Sequence, residues 1–62
     1  MRYEFTRNIY VDVHEMQYYR DTQTNELLKV IRHRASQQYK VRNDDTNKEL
    51  TEVPEELQKL IQ

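Results

Sequence analysis

Met16-Gln17-Tyr18-Tyr19-Arg20-Asp21-Thr22-Gln23-Thr24-Asn25-Glu26-Leu27-Leu28-Lys29-Val30 is the stretch on which the fold turns. Asp21 to Asn25 is a turn signal. Asp and Asn hydrogen-bond their own backbone and tolerate left-handed conformations, and the chain has no glycine to do so. With Arg20 paired to Glu26, Tyr18 faces Leu28, Met16 faces Val30 and Gln17 faces Lys29. Apolar then meets apolar and polar meets polar, which is how cross-strand pairs stabilise a sheet. The competing reading is a helix at about 26–38, packed on a sheet. Leu27, Leu28, Ile31, Ala35 and Tyr39 fit a helical stripe, and Thr24 or Asn25 could cap it. The register match and the β-branched pair Val30-Ile31 favour the hairpin.

Upstream, residues 2–20 read as strand. Tyr3, Phe5, Ile9, Val11 and Val13 share one parity, as a half-buried strand requires. Met16 and Tyr18 continue the pattern on the other parity, so a β-bulge is expected near His14-Glu15. Downstream, a second hairpin is expected around residues 43–48, with Arg42 facing Glu49 and Val41 facing Leu50. Val53-Pro54-Glu55-Glu56-Leu57 then opens a short helix at about 54–61. Proline suits a helix start, and glutamates complement the positive end of the helix dipole. Val53, Leu57, Leu60 and Ile61 form its apolar stripe. The fold class is thus mostly β or α+β: a small antiparallel meander of three to five strands with a short C-terminal helix. Residues 1–62 make a single small domain. No internal repeat is evident beyond a weak symmetry of two hairpins.

Composition bounds what such a domain can do. Apolar residues are 35% of the chain, with no glycine, no cysteine and one proline. That excludes disulfides, thiolate chemistry and a glycine-rich phosphate loop. A chain of this size closes one small core, and scaffolds so small often gain burial from a second subunit. A homodimer is therefore expected. Net charge is −1, with residues 1–42 basic and residues 43–62 acidic. There is no signal-peptide pattern and no apolar run long enough to span a bilayer. The expectation is a cytoplasmic protein, complete from Met1 and not bound to membrane.

No residue set reads as catalytic, cofactor-binding or metal-ligating. His14 and His33 are the only histidines; the hairpin above puts His14 opposite Arg32 and the two imidazoles on opposite faces. Ser36 lacks a nucleophile setting. Asp44-Asp45 and Glu55-Glu56 read as solvated turn and helix-start charges. Five of the six aromatics are tyrosine, a residue enriched in protein interfaces. Tyr18 and Tyr19 are adjacent, so in a strand they point to opposite faces, and Tyr10 opposes Ile9 and Val11. The expected function is a non-enzymatic protein-binding module, an inhibitor or regulator of a larger partner. Its expected contacts are Tyr10, Tyr18, Tyr19, Arg32 and Arg34. In size and charge the chain is typical of small accessory proteins of phages and mobile elements. The alternative is binding of single-stranded or non-specific nucleic acid through Arg32, Arg34, Tyr39, Lys40 and Arg42. Stacking tyrosine among cations would favour it; the near-zero net charge weighs against it.

Overall fold

The computed structural model describes residues 1–61. Four strands run in chain order: β1 (Tyr3–Val11), β2 (His14–Asp21), β3 (Leu27–His33) and β4 (Tyr39–Asn43), followed by helix α1 (Glu55–Ile61). They form one antiparallel sheet in the order β1-β2-β3-β4. Beyond β4 the chain turns back to make a bridge between Arg42 and Glu49, and Leu50 N–H donates to the Val41 carbonyl at 2.8 Å. The expected meander, its C-terminal helix and the pairing of the last hairpin are all present. Residues 26–38 contain β3 and a turn, so the alternative helix there is set aside.

Three of the connections are built alike, although the sequence reading found no repeat. Each begins with a polar residue after an apolar-Arg pair: Tyr19-Arg20-Asp21, Ile31-Arg32-His33 and Val41-Arg42-Asn43. The N–H of that residue donates across the turn, to the carbonyl of Glu26, Gln38 and Lys48 respectively. Its side chain accepts from the N–H groups two and three residues on: Asp21 Oδ1 from Gln23 and Thr24, His33 Nδ1 from Ala35 and Ser36, Asn43 Oδ1 from Asp45 and Thr46. A hydroxyl follows, Thr24, Ser36 or Thr46, and accepts from the N–H two residues further. The fourth loop residue is left-handed in every case: Asn25 at φ 65°, Gln37 at 65° and Asn47 at 60°. Asn is the usual substitute for glycine there, and a chain without glycine uses it twice.

This loop corrects the expected register. It holds four residues, 22–25, between Asp21 and Glu26, not five between Arg20 and Glu26. The pairing is therefore shifted by one: Tyr19 faces Leu28, Tyr18 faces Lys29, Gln17 faces Val30, Met16 faces Ile31 and His14 faces His33. A shift of one residue exchanges the two faces of a strand. Residues 2–20 also hold two strands, joined at a two-residue turn where Asp12 has φ 57°. That turn, and not a bulge at His14-Glu15, explains the change of parity. The bulge lies between Phe5 and Arg7. It puts Tyr3 and Phe5 on one face of β1 and Ile9 and Val11 on the other.

Helix α1 packs on one face only. There Tyr3, Tyr19, Leu28, Val30 and Val41 meet Leu57 and Ile61, with Tyr39, Leu50, Val53 and Leu60 around them. Leu57, Val30 and Val41 are fully buried, and complete burial of such a side chain is worth about 1.5–3 kcal/mol. Seven residues make no stable helix in water, so α1 exists because of this contact. Two polar clamps fix it: the Arg2 N–H donates to Glu56 Oε2 at 2.9 Å, and Arg32 Nη2 donates to the Ile61 carbonyl. Asp21, buried at the end of β2, accepts from Arg2 Nε and Nη2 at 2.8–3.2 Å.

The Arg2 guanidinium, together with the Gln23 and Thr24 N–H groups and against the cost of burial, holds the Asp21 carboxyl at about 2, below its ordinary 3.8. A depressed carboxylate adds stability above its unfolded value and loses it as pH falls toward the folded one. Asp21→Asn keeps a turn-capping oxygen but not the ion pair. Acid titration followed by circular dichroism should show wild-type stability falling between about pH 4 and pH 2, with a shallower fall in the variant.

Candidate docking face

Among the described residues, no helix lies over the other face of the sheet. Cross-strand rows place the following side chains together: Glu4, Arg20 and Leu27; Arg7, Tyr18, Lys29 and Arg42; Ile9, Met16, Ile31 and Lys40; Val11, His14 and His33. Two physical classes alternate on it. Ile9, Met16 and Ile31 form a half-buried aliphatic band across the strands, and Leu27 is half-buried two rows away. Around it stand five cations, Arg7, Arg20, Lys29, Lys40 and Arg42, against a single strand carboxylate, Glu4. The remainder of the chain is acidic by difference, so a net charge of −1 conceals a strongly polarised molecule.

The cations are incompletely neutralised. Arg20 pairs with Glu4 at 2.8 Å; Lys29 and Arg42 reach Asp44 and Glu49 only at 3.8 Å. Arg7 lies over the Tyr18 ring, 4.6 Å from its centre, and makes no ion pair; nor does Lys40 among the described residues. Lys29 and Arg42 are directly opposite on adjacent strands, an arrangement of like charge that weakens a sheet. A groove of about 350 Å³ opens at the β3–β4 end of this face, lined by His14, Ile31, His33, Lys40 and Arg42 among others.

The histidines occupy the same face, not opposite faces as the sequence reading held, because the register is one residue on. Their ring centres are 5.6 Å apart at 88°. The pair is a poor start for a metal centre. His33 Nδ1 already accepts from two backbone N–H groups at 3.3 Å, so that nitrogen is engaged in the turn. Among the described residues, no three His, Asp or Glu side chains converge as a metal would need.

The expected contact residues are dispersed. Tyr10 is 60% exposed on the helix side of β1, with the Arg34 guanidinium 5.2 Å from its ring centre, so these two do meet. Tyr18 and Tyr19 point to opposite faces but neither is free: Tyr18 is 7% exposed beneath Arg7, and Tyr19 is 4% exposed in the core, edge-on to Phe5. Burial pushes the Tyr19 hydroxyl above its usual range, which keeps it neutral. Arg32 is a helix clamp beside Glu15 on the covered face, and Arg34 belongs to a turn. The two arginines therefore do not share a face. The nucleic-acid set is divided in the same way: Arg32 and Tyr39 lie on the covered face, Lys40 and Arg42 on the open one. The sequence reading did not assemble Arg7, Lys29, Ile9, Met16 and Ile31 because it placed Asp21 inside the turn. The thrice-repeated apolar-Arg-polar start with Thr or Ser three residues after the polar position carried that information.

No protein-family model, curated protein or solved structure matches this chain. No helix among the described residues is long and apolar enough to cross a membrane.

The role assigned to His33 has a direct check. Asn43 does the same task in the equivalent turn, so His33→Asn should retain stability. His33→Ala leaves two N–H groups without their acceptor and should cost about 1 kcal/mol in urea unfolding.

Proposed function

We propose that this chain is a non-enzymatic protein-binding module whose working surface is the open face of the sheet. The observation that carries the reading is the row Arg7-Tyr18-Lys29-Arg42 beside the aliphatic band Ile9-Met16-Ile31. An apolar centre edged by charge is the usual anatomy of a protein interface. Opposed like charges cost folding stability, and an anionic partner would turn that cost into affinity and steering. The partner is thus a protein surface with aliphatic side chains set among carboxylates. A domain with one small core acts by covering such a surface, so the module is an inhibitor or regulator of a larger protein. Nucleic acid is the weaker reading. Phosphates would meet the same cations, but Tyr18 is covered and Tyr39 faces away, leaving this face no exposed tyrosine for bases to stack on.

The test is affinity capture from the source cell with wild type, with Arg7→Glu/Lys40→Glu, and with Phe5→Lys on the opposite face. Binding of the captured protein, remeasured with purified components, should fall at least ~10-fold in the double variant. It should persist in Phe5→Lys, survive nuclease and weaken with salt. Capture that is unchanged by the double variant, or lost on nuclease treatment, contradicts the proposal.

A further inference from the structure

The exposed large apolar side chains are Met1, Phe5, Tyr10, Val11 and Val13. All lie on β1, just before it, or in its turn, at the edge of the sheet. The two edges are treated differently. Beside β4 the returning chain pairs Glu49 with Arg42 and bonds Leu50 N–H to Val41. Among the described residues β1 has no such cover; its bulge and Glu4 blunt the edge before Arg7, but from Arg7 to Val11 the strand is regular, contains no proline or lysine and carries one charge.

We infer that the occupant of this edge is the β1 strand of a second copy, joined antiparallel about a two-fold axis through Ile9. The bulge between Phe5 and Arg7 limits the regular edge to residues 7–11. Only a centre at Ile9 brings all five into register. Ile9 then faces Ile9 of the second copy, Asn8 faces Tyr10, and Arg7 faces Val11. No charge meets a like charge, and the apolar side chains of the edge gain neighbours. The backbone has the right phase. A two-residue turn makes Val11 and His14 a hydrogen-bonded pair, as it does Ile9 and Met16 two positions on. Asn8 and Tyr10 are left with N–H and C=O directed outward, and these are the residues that would exchange bonds with the second copy. Face-to-face dimers through the open face would instead press cation against cation. A two-fold normal to the sheet keeps both open faces on one side, so the dimer presents an eight-stranded sheet with one continuous basic surface. The inference rests on the edge and stands apart from the identity of any docking partner.

Cysteine scanning is a clean test because the chain has no cysteine. A non-hydrogen-bonded antiparallel pair has Cα atoms about 4.5 Å apart, within disulfide range. Ile9→Cys should therefore oxidise to a covalent dimer. Val11→Cys, whose thiol would sit opposite Arg7 and far from its own copy, should not. Sedimentation equilibrium of wild type should give twice 7.7 kDa, with Ile9→Lys monomeric and Lys40→Glu, on β4 away from this edge, still dimeric. Hydrogen exchange of wild type needs no variant to fold: the Asn8 and Tyr10 amides should be protected when concentrated and exchange freely on dilution. A wild type that remains monomeric to millimolar concentration, equal cross-linking of both cysteine variants, or Asn8 and Tyr10 amides that exchange freely at every concentration would overturn the inference.

Discussion

Leu57 and Ile61 of a seven-residue helix close the core against Val30 and Val41, and the rest of the molecule depends on that contact. The chain has apolar side chains enough for one such layer. The helix is too short to exist without the sheet, and with Leu50 and Val53 beside it the helix supplies the apolar cover of that face. Placing the layer on one face leaves the opposite face to water and to whatever binds there. Arg2, Asp21, Glu56 and Arg32 are used to hold the helix and the first strand in place, and so are withdrawn from any surface role.

The open face is the less stable arrangement of these residues, and that is why it is informative. Lys29 opposite Arg42, with Arg7 on the same row, opposes folding. Asp44 approaches from the adjoining turn and Glu49 from the bridge opposite Arg42, without closing tight pairs. The aliphatic band beside these cations is half-buried, not sealed. A surface held together only for folding would be expected to alternate charge sign along that row. The same physics separates the two associations proposed here: cations favour a carboxylate-rich protein on the face, while the uncharged stretch around Ile9 favours self-pairing at the edge.

The elements of the fold were legible in the sequence, and the faces were not. Val30-Ile31, the Asn-rich turns and Val53-Pro54-Glu55-Glu56 point to strands, hairpins and a terminal helix, and the Arg42–Glu49 pairing follows from loop length. The faces require knowing whether Asp21 opens the turn or lies within it, and propensity alone does not decide between four loop residues and five. The capping bonds of Asp21, His33 and Asn43 and the left-handed Asn25, Gln37 and Asn47 decide it. Similarly, Tyr3, Phe5, Ile9 and Val11 look like one face because nothing in their alternation reveals the bulge at residue 6. Alternation puts Tyr18 and Tyr19 on opposite faces and leaves both as candidate contacts; Arg7 covers the first and the helix-side core takes the second.

The central claim is that one face is sealed and the other open. It can be measured by NMR with a neutral, soluble paramagnetic agent, read out at the side-chain methyl groups. The account predicts strong relaxation enhancement at Met16, Leu27 and Ile31, and little at Val30, Val41 and Leu57. Equal protection of the two sets, or enhancement at Val30 and Leu57, would contradict it.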